Sequence, residues 1–396
     1  MRVANLLAGA AMTLTGLPAF AASWDETVVK ARGQTVYWNA WGGDERTNAF
    51  IAWANDQVKA RYGVAIVQVK LADTAEAVTR VIAEKAAGKA DGSVDMIWIN
   101  GPNFLSMKEK GLLFGPFVKD MPNARFVDLS EKSPNAVDFT VPVEGFESPW
   151  RKAQFVFNYD AKRVSAPPES MAEFLAWAKA HPGRFTHPDV GNFMGATFLK
   201  QALIELTPDA AALQAPATDA AFAIATAPLW AWYDALKPNL WHGGAQFPAS
   251  GETERQLLSD GEIDISMSFD PASAVAAIKT GLLPESVRTS TLANGTLSNT
   301  SFVAIPFNAA HKEGAEVVAN FLLDPETQAH AQNIDVLGSF SVLDQSKLDQ
   351  QQKALFAALP RSDALPGNAD LGKSLLEPHP SWITRLASEW SKRYVK

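Results

Sequence analysis

The stretch Val36-Tyr37-Trp38-Asn39-Ala40-Trp41-Gly42-Gly43 reads as a buried strand running out into a glycine-hinged loop ahead of a helix. Two tryptophans and an amide then stand at the carboxyl end of a strand. In an open α/β sheet that edge is where small ligands bind, because loops and helix amino termini form a crevice there. Trp38, Asn39 and Trp41 are therefore the first candidate site residues.

Downstream, Asp44 is placed to cap a helix with the apolar face Phe50, Ala54 and Val58, widened by Ile51 and Trp53 and stopped by Gly63. Val64 to Leu71 alternates as a strand, with Ala65, Val67, Val69 and Leu71 expected on one face. Asp73 and Glu76 have capping-box spacing before a helix that carries Val78, Val81 and Ile82 and ends at Gly88. Val94-Asp95-Met96-Ile97-Trp98-Ile99 is almost continuously apolar, the mark of a strand covered on both faces, and Asn100-Gly101-Pro102-Asn103 turns into another helix. Alternating strand and helix predicts a parallel sheet with crossovers, which sets Trp98 and Asn100 beside the opening loop.

Trp150 to Asp160 has strong β propensity, and Trp150 joins the candidates. A second α/β rhythm follows: a helix over 171–180, a short strand at 184–186, and the glycine-rich turn 191–197 into a helix over 198–206. Backbone amides at such a helix start, here Gly195 and Thr197, can hold an anion or a carbonyl, although a plain tight turn explains the same residues. The alanine-rich span 209–227 reads as a connection, and 229–236 as a helix with an aromatic face. After the strand 263–269, Asp270 is either an N-cap or, with Phe269, part of the crevice wall from a second lobe. Asn299 heads one more strand, 299–306, and is counted with the site; the last seventy or so residues read as helical and loop-rich.

At 396 residues the chain exceeds the size of a single growing core, so two lobes are expected, and 47% hydrophobic residues supply their interiors. A net charge of -8 and the lack of any Lys/Arg cluster argue against nucleic acid as a partner. Twelve Trp against five Tyr is an unusual ratio; indole faces suit flat or cationic ligands, while core packing is the plain explanation for most of them. Arg2, the apolar run Val3 to Phe20 and Ala19-Phe20-Ala21 make residues 1–21 a secretion signal cleaved before Ala22. With no Cys, neither disulfides nor a lipid-anchored Cys are expected, and the exported chain suits a Gram-negative periplasm. No Gly-x-Ser-x-Gly, His-Glu-x-x-His or Gly-x-Gly-x-x-Gly motif occurs, and the six His are scattered, so no catalytic residue, metal or cofactor is expected. A secreted α/β hydrolase is the alternative from another class.

The secretion signal, Tyr37-Trp38-Asn39-Ala40-Trp41-Gly42-Gly43, Val94 to Asn100, and Glu316 to Leu323 followed by Asp324-Pro325-Glu326-Thr327-Gln328 together resemble the periplasmic solute-binding proteins of ABC transporters, of the extracellular solute-binding family 1 type and its YnjB-like branch. The resemblance spans essentially the whole mature chain. It implies an α/β, two-lobed periplasmic-binding-protein fold (type II-like) with the ligand cleft between the lobes. Lobe 1 would comprise 22–152 with 303–325, lobe 2 156–300, and 326–396 a C-terminal helical segment packing on both. It also implies chain crossings at 155–159 and 301–306, a small-molecule ligand, an inner-membrane ABC permease as partner, and a monomer. No two Tyr are adjacent, which disfavours ferric iron. Indoles at Trp38, Trp41, Trp98 and Trp150 with Asp270 opposite favour an organic cation or heteroaromatic such as thiamine or a polyamine, with a sugar as the alternative.

Overall fold

A computed structural model describes residues 23–131, 133–366 and 371–395. The expected signal segment, 1–21, lies outside them. After α1 (Trp24–Ala31), β1 (Thr35–Trp41) leads through the Gly42-Gly43 loop into α2 (Glu45–Tyr62). The Asp44 carboxylate accepts from the amides of Arg46 and Thr47, and Gly63 ends the helix at φ 69°. That left-handed conformation is one glycine adopts without a Cβ penalty. β2 (Ala65–Leu71), α3 (Ala75–Ala86), β3 (Met96–Ile99) and α4 (Pro102–Glu109) follow.

β1 pairs in parallel with both β2 and β3, so the crossover reading of this half holds. β2 is an edge strand, and its facing differs from the alternation: Ile66 is buried whereas Val67 is 42% exposed. The short hairpin of β4 (Val137–Asp138) and β5 (Val141–Pro142) precedes β6 (Glu147–Gln154).

The single strand expected over 150–160 is two, β6 and β7 (Val156–Asp160), parted at Phe155. β6 lies in the lobe 1 sheet, whereas β7 is the middle strand of a three-stranded antiparallel sheet in lobe 2. Lobe 2 contains α5 (Met171–Ala180), α6 (Phe193–Leu206), α7 (Asp219–Leu236), α8 (Gly251–Ser259), β8 (Ile265–Ser268), α9 (Ser273–Lys279) and β9 (Val287–Ser290). α6 starts at Phe193 rather than 198, because Asn192 caps it by accepting from the Met194 amide. α7 begins within the alanine-rich span, at Asp219, and carries Pro228 internally.

β10 (Thr296–Ala304) runs back between the lobes, antiparallel to β6 from Ser298 to Ala304 and to β3 from Phe302 to Ala304. The chain closes with α10 (Lys312–Leu322), α11 (Pro325–Gln332), α12 (Gln350–Ala357), β11 (Ser374–Leu375) and α13 (Pro380–Tyr394). Two main interiors result. One joins β1, α2 and Trp150 to residues 303–348; the other joins Phe155, α5 to α7, β8 and Leu297 to Trp382, Leu386 and Trp390 of α13. Among the described residues no helix is long and apolar enough to cross a membrane.

Candidate functional site

Four indoles, Trp38 and Trp41 of β1, Trp98 of β3 and Trp150 of β6, form a series of edge contacts. Trp38 meets Trp150 at 5.7 Å, Trp150 meets Trp98 at 5.1 Å, and Trp98 meets Trp41 at 6.4 Å between ring centroids. The series is graded in depth: Trp38 and Trp150 are wholly buried, while Trp98 and Trp41 are partly exposed. Trp150 also stacks on Phe50 of α2, which locks the inner end into the core. Gly43 leaves room for the Trp41 ring, since a Cβ there would stand 2.5 Å from Cζ2. The loop itself is held by Asn48, whose side chain donates to the Gly42 carbonyl at 3.1 Å and accepts from Gln68 at 2.9 Å.

Two arginines that composition and pattern did not single out complete this edge. Arg151 on β6 places its guanidinium carbon 4.7 Å from the Trp98 ring centroid and 5.2 Å from that of Trp150. Its Nε is buried without a hydrogen-bond partner. Burial pulls this guanidinium below its usual pKa; Asp270 and Asp44 oppose that pull, and Arg46 adds to it. Arg46, in the first turn of α2, ion-pairs with Asp270 of lobe 2 and donates to the Leu337 carbonyl at 3.0 Å, and its Nε lies 3.7 Å from Asp44. Burial would lower Arg46, but Asp270 and Asp44 outweigh it and raise the group. Burial likewise would raise Asp44, yet Arg46 and the hydrogen bonds from Thr47 hold it below the usual carboxylate range.

Lobe 2 contributes Phe193, half exposed at the start of α6, in edge contact with Phe269 at 5.2 Å. Asp270 follows Phe269 and does two jobs at once: its Oδ1 accepts from the Ala272 amide at 3.0 Å and its Oδ2 takes Arg46. Further along the lobe boundary, Lys200 of α6 is fully buried against Glu377 at 2.7 Å. Its ammonium lies over Phe139 of the β4–β5 turn at 5.0 Å and over Phe193 at 5.3 Å.

Several expected site residues lie elsewhere than the cleft surface. Trp38 and Trp150 are core, packed with Phe50 of α2; Asn39, on the opposite face of β1 and in register with Ile97, is buried too, donating to the Tyr37 carbonyl at 3.2 Å with its Oδ1 unpartnered. Gly195 and Thr197 are buried inside α6. A Cβ on Gly195 would collide with the Pro188 and Asp189 carbonyls, and the Thr197 hydroxyl donates to Phe193 O. Those two are thus packing residues. Asn100 ties β3 to β10 by donating to Thr300 O at 2.6 Å. Asn299 lines a cavity of about 40 Å³ with Asp138, Phe139, Thr300 and Glu377, room for one water rather than a solute. Trp41, Trp98, Phe269 and Asp270 are partly exposed, as are Arg46 and Arg151, and Phe193 is half exposed beside Phe269.

Arg46 was legible in principle, since a cation in the first turn of a helix opposes the helix dipole and calls for a nearby anion. Arg151 was legible as the charge that directly follows Trp150 in a segment expected to be a strand.

The comparisons agree with this architecture. Residues 52–358 match the family described as bacterial extracellular solute-binding protein. Protein YnjB of Escherichia coli (strain K12) is 42% identical over 385 residues, 97% of each chain. Solved structures share the fold at low identity. The periplasmic binding protein AfuA of Actinobacillus pleuropneumoniae, with fructose-6-phosphate bound, matches at TM-score 0.62 and 14% identity over 91% of this chain and 98% of its own. The spermidine/putrescine substrate-binding protein PotD of Streptococcus pneumoniae matches at TM-score 0.61 and 14% identity over the same shares. A two-lobed α/β fold with an aromatic edge between its lobes, a match over most of the length and a near full-length relative together place this chain in the bacterial extracellular solute-binding proteins of ABC transporters, a family of transport proteins rather than enzymes.

Proposed function

We propose that this protein captures a small, flat solute between its lobes, against Trp41 and Trp98, and presents it as a monomer to an inner-membrane ABC permease from the periplasm, after removal of residues 1–21. The observation that carries the reading is the graded indole series, which is anchored in the core at Trp38 and Trp150 and emerges at Trp98 and Trp41, where lobe 2 meets the edge through Asp270. Partly exposed aromatics on a rigid base are what a stacking site needs, because their position is already fixed before the solute arrives.

The organic-cation version, with thiamine or a polyamine as the solute, rested on a free Asp270. That carboxylate is engaged by Arg46 and by the Ala272 amide, and Asp44 is engaged by Arg46 and the start of α2. Solved structures of this fold take solutes of either charge: AfuA holds fructose-6-phosphate, and PotD is a spermidine/putrescine binding protein.

A thermal-shift screen of small solutes on protein stripped by unfolding and refolding tests the capture reading. A solute that binds only the folded state raises the melting temperature, by about 2.7 kcal/mol of added stability at a hundredfold excess over Kd. A bound solute recovered chemically unchanged supports transport; conversion to product would favour the hydrolase alternative instead. Mass spectrometry of the exported chain checks cleavage before Ala22, and a retained Met1 would contradict it.

A further inference from the structure

We infer that the captured solute carries an acidic group, a carboxylate or phosphate, and that Arg151 is the residue that holds it; the inference rests on the cleft reading above. A guanidinium has five N–H donors in a planar fork, a shape matched by carboxylate and phosphate oxygens. Arg151 spends none of them on a described residue: it stands against the faces of Trp98 and Trp150, and its Nε is buried and unpartnered. Leaving a buried donor without an acceptor is costly, and such atoms are rare in folded proteins.

The three charges that act on it, Asp270, Asp44 and Arg46, are already committed. Arg46 is spread over Asp270, Asp44 and the Leu337 carbonyl, so it does not compete for a solute's acid. Asp44 caps α2, and Asp270 bonds the Ala272 amide as well as Arg46. Of the two arginines at this edge, Arg151 is the one without an acceptor among the described residues. Its place over Trp98 also fixes the pose, because an acid on its fork brings the attached ring beside the indoles at Trp98 and Trp41. Stacking and charge then act on one molecule, which suits a flat acid better than a polyamine or a plain sugar.

The test is capture from a complex mixture. Protein stripped by refolding is incubated with a small-molecule extract of bacterial cells and washed, and the bound fraction is released by heat and read by mass spectrometry in both polarities. The enriched solute should carry a carboxylate or phosphate, and calorimetry with that compound should show Arg151→Met binding at least about thirtyfold more weakly than the parent. Arg151→Lys, which keeps the charge and loses the fork, should fall between them, and it carries the test if Arg151→Met does not fold. Enrichment of a neutral sugar or an organic cation overturns the inference while the capture reading stands, as does an acid that the Arg151 variants bind as tightly as the parent. Enrichment of nothing overturns the capture reading and the inference with it.

Discussion

Two aromatic clusters share this chain, and they differ in what their polar atoms do. Inside lobe 2, Trp232 donates to the Met171 carbonyl at 2.7 Å, and Trp382 donates to the Ala215 carbonyl at 2.8 Å while stacking on Phe222. Those indoles are finished parts of a core, with the Nε1 of Trp390 as the exception. At the lobe 1 edge, Trp38 Nε1, Asn39 Oδ1, Trp150 Nε1 and Arg151 Nε are all buried without partners. Ring count does not separate a core from a site. Unmet hydrogen-bonding capacity, together with a path from the interior to the surface, does.

The largest effect that would sharpen this contrast is a core truncation. Trp382→Ala should cost about 3–5 kcal/mol of stability while leaving solute affinity of the folded fraction unchanged; urea melts and calorimetry on the same samples read both. Trp38→Ala belongs with it, because its ring is wholly buried despite its place beside Trp41. Arg151→Met should do the reverse. Its urea midpoint should hold or rise, since a buried charge without a carboxylate partner is replaced by an apolar chain, and its effect should fall on affinity.

A titration probes the back of the lobe boundary. Burial raises Asp138 to about 8, against the opposing hydrogen bonds from the Gly101 amide and Asn100. Its carboxyl in the unfolded chain titrates near 4, so across the window up to about 8 the folded state keeps a proton that the unfolded state has lost. Stability should therefore fall as pH rises through that window. Asp138→Asn, which still offers an oxygen to Gly101, should flatten the decline in urea midpoints; an unchanged slope would mean that Asp138 does not titrate there.

The smallest expected effect is at the contact joining the two walls. Asp270→Asn removes the Arg46 ion pair between lobes, whose side chains are 24% and 21% exposed, and should cost about 1 kcal/mol or less. Small-angle scattering of the solute-free variant should show a more open particle. An unchanged profile would mean that the close approach of Gly338 to Ala272 holds the lobes together without it.

Much of lobe 1 was legible because its signals are local. The Asp44 cap, the Gly63 stop and the buried run of β3 each follow from a few neighbouring residues, and the structure keeps them. Lobe 2 was less so. The break at Phe155 carries no Gly or Pro to mark it, and only pairing with β10 or with β8 and β9 separates the two strands. Pro228 and the alanine-rich composition disguised the start of α7, which tertiary burial of Phe222, Ala225 and Leu229 maintains. At the carboxyl end of β1, the sequence did not reveal how deep each indole lies. Alternation assigns Trp38 and Trp41 to opposite faces without saying which face α2 covers. Arg46 and Arg151 escaped notice because their partners, Asp270 and the indole faces, come from distant parts of the chain.

The central claim is that the indole series changes from core to binding surface between Trp150 and Trp41. Trp41→Ala tests it most directly, because this ring is the outermost of the four and its loop is held independently by Asn48. Urea melts and calorimetric titration with the captured solute should show a stability loss of about 1 kcal/mol or less for a partly exposed ring and a tenfold or greater loss of affinity. A loss of about 3 kcal/mol or more in stability, with affinity of the folded fraction unchanged, would show that the series is core to its end and that the solute binds elsewhere.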